Sequence, residues 1–599
     1  MRFKSQKVGG FRVYAVAGVN TISFGIEATT AAKKGLLGFS VERFDPKEDE
    51  RFTMPGFKVF RSVIPNPEPH LQVSTWDQPV QSFLWDDFTA RPDRVYEYTF
   101  RPLRGKPKNL DRSAKPITIK VRTEPLFTTN DHDVFFNRGV ASSQAYERLF
   151  GNKKPDEQPT KAKQQEALDW LTRDLDEAIA KFINRAGSND TLLCCFYEFH
   201  HMPVVKALAA ARKKIKKLQI IIDAKVNEFT DKEGKFHASF PRKENLKAIS
   251  DAGIPASCII RREKNPSDIQ HNKFMVLLKG ASQTPTDVWT GSTNISLGGF
   301  TGQTNVGHWV RGDKATAAMF KAYWDLLATD PGSTKQDDKA TSAKKKKTYR
   351  SAVEALATSP TPATLATIPP GTTAVFSPRS GSSVLDLYVD LVDKADDLSC
   401  ITLAFGVNEK FKTELKDNTP QSHITFLLLE KKDAPRKNSK KPFVAINASQ
   451  NVYKAWGSFV ATPVYQWARE TNARFLQLNT HIAYIHSKFL LRDPLGADPI
   501  VVTGSANFSE ASTNSNDENM LIIRGNSRVA DIYFTEFNRL FNHYYFRSVT
   551  EATNATKTSD DAELFLAEKS KDWLKKYAPG KLRTKRLKVY TSMIGFTTP

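Results

Sequence analysis

Two short stretches of the chain carry the residue types and spacings from which chemistry can be built. Residues 271–294 read HNKFMVLLKGASQTPTDVWTGSTN, and residues 486–507 read HSKFLLRDPLGADPIVVTGSAN. Each is H-x-K-F, an apolar strand, a turn, a second apolar strand and T-G-S-x-N. The His-to-Asn separations, 23 and 21 residues, differ only by turn length, and eleven residues beyond each Asn stands a further polar residue, Asn305 in the first copy and Glu518 in the second. Residues two apart on a strand share a face, so His271 projects with Lys273 and His486 with Lys488, a titratable nucleophile beside a fixed cation. The following strand returns as an antiparallel hairpin and ends at Ser292 and Asn294, or Ser505 and Asn507, with donors for the same pocket.

An imidazole, an ammonium and neutral donors suit the oxygens of a phosphoryl group under attack by nitrogen. Two such sets supply the two histidines that phosphodiester hydrolysis through a covalent intermediate needs. One attacks phosphorus; the other protonates the leaving oxygen and later activates water. This arrangement needs no metal and no other cofactor, and no Asp/Glu cluster of two-metal character stands out. A lone H-x-K on a strand is ordinarily structural; its repetition with GS-x-N and the eleven-residue spacing outweighs that reading.

These residues resemble the paired H-x-K-x4-D motifs of the phospholipase D superfamily, which includes phospholipases D, bacterial endonucleases and tyrosyl-DNA phosphodiesterases. The second copy is complete, with Asp493 at the expected offset; the first has Leu278 there. In the family that Asp mostly supports the site from outside, and members without it are known, so the departure bears on phospholipase activity more than on phosphodiesterase chemistry. The resemblance covers about residues 126–550. It implies an α/β fold of two similar halves related by a pseudo-twofold, with the active site at their interface. By position, Lys273, Lys488, Asn294 and Asn507 would bind phosphate oxygens, with Ser292, Ser505 and Asp493 in support. Asn305 and Glu518 would accept from histidine Nδ1, turning Nε2 to phosphorus. A carboxylate partner raises imidazole basicity and stabilises a cationic phosphohistidine, whereas an amide leaves its histidine the readier proton donor. If the orienting residues reach across the halves, as in related enzymes, Glu518 serves His271, making His271 the nucleophile and His486 the general acid and base. If each serves its own half, the roles swap.

Around these motifs the chain reads in five parts. Residues 1–125, with period-two segments such as Val95–Arg101 and Ile117–Arg122, read as a β-sandwich. Residues 126–330 form a first αβ half, with one amphipathic helix expected over 160–186. There the run TLLCCFYEF, MPVVKALAAARKKIKK, LQIIIDAK reads as a βαβ unit and hence a parallel sheet. Residues 331–372, rich in Lys, Ser, Thr and Pro, read as a linker or loop; 373–550 form the second half; 551–599 form a basic helix or tail, with nine Lys or Arg against Asp572 between Lys569 and Lys588. His200, His201, His308 and His481 read as rim or packing residues, and Trp289, Phe300, Trp309, Tyr484 and Phe508 mostly as core.

Length and composition set the outer bounds. With 599 residues, 40% of them hydrophobic, the chain is no disordered, collagenous or disulfide-stapled molecule. The 87 Lys and Arg against 65 Asp and Glu leave a net charge of +22, a positive field that favours a polyanion. With the Lys344–Lys347 run, the Arg436–Lys441 cluster and the basic tail, it puts nucleic acid first as partner and substrate. The alternatives are a phospholipase D on anionic glycerophospholipid membranes, and a non-catalytic polyanion binder, against which both H-x-K pairs stand intact. Cys194, Cys195, Cys258 and Cys400 are too few for a disulfide framework and suit a reducing compartment. The opening MRFKSQK leads into a segment interrupted by Arg12, Asn20 and Ser23, not a secretory signal core, and no apolar run reaches 18 residues. The expectation is a cytoplasmic protein with no membrane span, non-classical secretion left open. With both half-sites on one chain, a monomer is expected to suffice.

Overall fold

The computed structural model describes residues 1–68, 71–139, 144–151, 153, 155–230, 236–356, 361–435, 442–457, 484–554 and 565–598. His481 and the Arg436–Lys441 cluster lie outside them. Strands Arg2–Lys4, Phe11–Ala17, Ile22–Ala28 and Leu84–Asp87 make one N-terminal antiparallel sheet, and Gly38–Asp45, Glu50–Thr53, Val95–Lys106, Asn109–Asp111 and Ile117–Arg122 make a second. Ile117–Arg122 alternates buried and exposed residue by residue, as its sequence requires. The sheets share one core, where Phe11 meets Phe39 at 5.4 Å and Phe24 meets Phe100 at 5.3 Å between ring centroids. The basic C-terminal segment is no free arm. Trp573 and Tyr577 pack on Phe83 in this core, and the helix Leu582–Thr591 buries Val589 and Tyr590.

The rest of the chain builds two seven-stranded sheets. The first holds β1 (His132–Phe136), β2 (Thr191–Phe196), β3 (Lys217–Asp223), β4 (Ile259–Arg262), β5 (Lys273–Lys279), β6 (Thr284–Gly291) and β7 (Val306–Val310), in the order β1-β7-β6-β5-β2-β3-β4. The second holds β8 (Gly371–Ser377), β9 (Leu398–Leu403), β10 (Ile424–Leu429), β11 (Val452–Trp456), β12 (Phe489–Arg492), β13 (Ile500–Gly504) and β14 (Glu518–Arg524), in the order β8-β14-β13-β12-β9-β10-β11. Strand order and sense match throughout. Only β2-β3-β4 and β9-β10-β11 run parallel; the other pairings are antiparallel, so each sheet is mixed rather than parallel.

Two helical expectations change. The segment 160–186 is two helices, α1 (Lys161–Thr172) and α2 (Leu175–Asn184), broken at Arg173, whose φ is 53°. The Arg173 guanidinium turns inward there, reaching the Phe136 carbonyl at 2.9 Å and the Glu536 carboxylate at 3.1 Å. Beyond α3 (Lys314–Ala328), the stretch read as linker contains α4 (Lys339–Glu354). Asp338 caps it by accepting from the Thr341 N–H, and only Tyr349 and Val353 are buried, so no apolar stripe announced it. The long α5 (Ser527–Asn554) follows β14.

A single core runs through both large sheets: Phe136 of β1 meets Phe489 of β12 at 5.9 Å, Tyr533 of α5 meets both, and Tyr323 of α3 stacks on Phe376 of β8 at 4.4 Å. Among the described residues no helix is long and apolar enough to cross a membrane.

Candidate active site

Register explains why both H-x-K motifs surface at the same end of their sheets. Lys273 at the start of β5 lies opposite Phe196 at the end of β2, so His271 projects beyond the strand ends, where loops that follow the parallel strands gather. β12 stands against β9 in the same way. Two short parallel bridges, Gln270 with Asp517 and Thr304 with Ile485, join the segments crosswise; the His271 N–H donates to the Asp517 carbonyl at 2.9 Å and the Thr304 N–H to the Tyr484 carbonyl at 2.7 Å. Each motif is thus stitched to the strand that carries the other copy's orienting residue.

The two imidazoles meet with centroids 6.4 Å apart and planes at 74°. His271 Nδ1 lies 3.0 and 3.1 Å from the two Glu518 carboxylate oxygens, and His486 Nδ1 lies 2.8 Å from Asn305 Oδ1. Orientation is therefore supplied across the halves. The Asn305 amide is fixed, since its Nδ2 donates to the Gly299 carbonyl at 2.8 Å and its Oδ1 also accepts from the Ser292 hydroxyl at 2.8 Å. With an acceptor at each Nδ1, both rings are Nδ1–H tautomers with a lone pair on Nε2.

The Lys273 ammonium donates to the His271 carbonyl, and that of Lys488 donates to the His486 carbonyl at 2.6 Å. Both lysines are fully buried. Burial pulls Lys273 down to about 8 and Lys488 well below the usual ammonium range, the latter pushed further by Lys273. Burial, with both ammonium groups close by, also holds each histidine well below its ordinary value, so both rings are neutral near pH 7. Burial raises Glu518 to about 7, opposed by Lys273.

Ser292 and Ser505 support from behind: the Val306 N–H donates to the Ser292 hydroxyl at 3.1 Å and the Asn519 N–H to the Ser505 hydroxyl at 3.0 Å. The glycine before each serine follows from packing. A Cβ on Gly291 or Gly504 would stand 2.2 Å from the carbonyl oxygen of Val306 or Asn519. Asn294 and Asn507 each present a buried Oδ1 with no hydrogen-bond partner among the described residues. Asp493 sits apart from this cluster. Its carboxylate takes the N–H groups of Asp396, Asp397 and Leu398 at 2.9, 2.8 and 3.1 Å, clamping the start of β9. Leu278, in the corresponding place, is core, and Asp190 clamps the first half instead, accepting from the Gly187 and Gly280 N–H groups at 2.7 and 2.8 Å. The missing aspartate is thus replaced from the opposite strand.

The sequence reading overlooked Glu198. It follows β2, is 2% exposed, and accepts from Asn294 Nδ2 at 2.8 Å. Burial lifts its carboxyl to about 7 against the Ser296 hydroxyl and the two lysines. An isolated carboxylate has no spacing to betray it. Trp289, Phe300, Trp309, Tyr484 and Phe508 are all buried; His308 is buried between His132 and Tyr533; and His201 stacks on Phe300.

A family model described as "Cardiolipin synthase, PLD-like domain" matches residues 179–326 and 430–541, which contain both motifs and both orienting residues. These two segments are similar to the domains of the phospholipase D superfamily. Members act on phosphodiesters. No curated protein sequence matches it. Similar solved structures include a phosphatidylserine synthase of Haemophilus influenzae (9% identity, 71% of this chain and 94% of that one, TM-score 0.39). Another is the phospholipase D family member Nuc of Salmonella typhimurium (22% identity, 25% and 83%, TM-score 0.18). A third is a polyphosphate kinase of Porphyromonas gingivalis (10% identity, 59% and 46%, TM-score 0.35), of whose length the chain spans less than half.

Proposed function

We propose that this chain hydrolyses phosphodiesters through a phosphohistidine, in one site shared by two halves related by a pseudo-twofold, with nucleic acid as the favoured substrate. The observation that carries the reading is the pair of facing imidazoles, 6.4 Å apart, each held at Nδ1 from the opposite half. The phosphate sits between Lys273, Lys488, Asn294 and Asn507. His271 Nε2 attacks phosphorus as the P–O bond to the leaving group breaks, and His486 passes a proton to that oxygen. Glu518 stabilises the cationic phosphohistidine. His486 then takes a proton from water, whose oxygen attacks phosphorus and releases His271. His486, neutral in the free site, gains its proton as the anionic diester enters and offsets the lysine charge. Chain residues supply nucleophile, cations and acid, so neither a metal nor a second copy of the chain is called for.

Nucleic acid is favoured by the net charge of +22 and by the Lys344–Lys347 run. That run lies on α4, whose Tyr349 donates to Asp517, next to Glu518, at 2.7 Å. A lipid phosphodiester is the second reading, supported by the family description and by Phe405, 55% exposed two residues past the end of β9. Purified protein in EDTA is given labelled single-stranded DNA, duplex DNA, RNA, and phosphatidylcholine or phosphatidylglycerol vesicles. Strand scission is expected, and it is expected to vanish in His271→Ala and His486→Ala. Headgroup release without scission transfers the reading to lipid; scission surviving in both variants overturns the mechanism.

A further inference from the structure

Three buried polar atoms without a hydrogen-bond partner among the described residues lie together: Glu198 Oε2, His200 Nε2 and Asn294 Oδ1. Glu198 is 2% and Asn294 3% exposed. Leaving such atoms unsatisfied is costly, so a site that keeps three together is shaped for something that satisfies them. Their geometry says what. Glu198 Oε1 is held by Asn294 Nδ2 at 2.8 Å, which fixes the carboxyl plane, and Oε2 stands 3.8 Å from His200 Nε2. That gap is too long for a direct hydrogen bond, yet one oxygen atom about 2.8 Å from each end fills it. His200, at 18% side-chain exposure, forms the open side, and burial pulls it down to about 4, so it is a neutral ring. With the ring proton on Nε2, the imidazole donates one hydrogen and the Glu198 carboxylate accepts one, which is the complement of a hydroxyl group.

Among the described residues the other half offers no such pair. Glu198 lies two residues past the end of β2; the residue two past the end of β9 is Phe405, 55% exposed. The two equivalent positions therefore differ, a buried carboxylate past β2 and an exposed aromatic ring past β9.

We propose that Glu198, His200 and Asn294 form a hydroxyl-binding subsite that receives the alcohol substituent of the phosphodiester and so decides which ester is turned over. The proposal rests on the phosphodiesterase reading of the two-histidine centre. A hydroxyl near phosphorus is offered both by a ribose 2′-OH and by glycerol, and the test separates them. Wild type, Glu198→Gln and His200→Phe are assayed on two matched pairs of p-nitrophenyl phosphodiesters: glycerol against propanol, and uridine 3′- against 2′-deoxyuridine 3′-. Wild type is expected to prefer the hydroxyl-bearing member of one pair by at least about tenfold in kcat/KM, and the variants to bring that ratio to within about twofold of one. The pair that responds names the alcohol. Melting curves check folding, and His200→Phe, at the more open position, carries the test if Glu198→Gln does not fold. No preference in either pair, or an unchanged preference in the folded variants, overturns the subsite while leaving the phosphodiesterase standing. No hydrolysis of any ester by wild type overturns the phosphodiesterase reading and the subsite with it.

Discussion

Glu518 and Asn305 occupy matching places in the two copies yet differ in charge, and the proposed mechanism turns on that difference. The carboxylate meets His271 at 3.0 Å and the amide meets His486 at 2.8 Å. Charge beside an imidazole decides how well it carries a positive charge, so the two rings are suited to different steps. Glu518→Gln keeps the shape of the contact and removes its charge. We expect kcat on the preferred diester to fall about 10- to 100-fold with KM nearly unchanged; steady-state kinetics returning a kcat within twofold of wild type would contradict this role. Recurrence in order singles out His271, Lys273, His486, Lys488, both asparagines and the polar positions Asn305 and Glu518; the orienting role of the last two is what the resemblance implies. Glu198 and His200 were out of reach of that logic: the first recurs nowhere, its counterpart being Phe405, and the second reads as an ordinary rim histidine.

Among the elements, strands were more legible than helices. The alternation of Ile117–Arg122 and the apolar runs of β2, β9 and β10 follow directly from burial on one or both faces. The mixed sense of the two sheets did not show in a βαβ segment that records only their parallel edge. Helix α4 was hidden because it buries only two side chains along its length. The break at Arg173 was hidden because its cause, Glu536 on α5, lies far along the chain. Burial alone would raise the Glu536 carboxyl, but Arg173 and Arg539 overcome it and hold it at about 2. A folded-state value below the ordinary 4.5 contributes stability that is complete above about 4.5 and is lost as pH falls towards 2. Glu536→Gln leaves the buried Arg539 guanidinium without a counter-charge and Arg173 with only Asp174, at 3.8 Å, at a cost of about 3–5 kcal/mol near neutral pH. Thermal melts between pH 7 and 2 should show the variant starting lower and losing less on acidification; parallel curves would dismiss the ion-pair account of this helix junction.

At the scale of the whole molecule, the two large sheets repeat one strand order, and a single core passes through both. The N-terminal sheets close on the C-terminal segment. Arg2 reaches Asp531 at 2.8 Å, the Leu495 and Ile594 carbonyls at 3.0 Å and the Pro494 carbonyl at 2.9 Å, tying the first strand to the second sheet's hairpin and to the chain's end. One polypeptide thus brings His271 and His486, more than two hundred positions apart, face to face. The most direct measurement is covalent. His486→Ala is mixed with a p-nitrophenyl diester, whose good leaving group departs without an acid, then quenched in alkali and digested for peptide mass spectrometry. The account expects p-nitrophenol release of about one equivalent and a phosphoryl adduct on His271 alone, absent from His271→Ala. An adduct at another residue, or steady turnover by wild type with no adduct ever captured in His486→Ala, would contradict it.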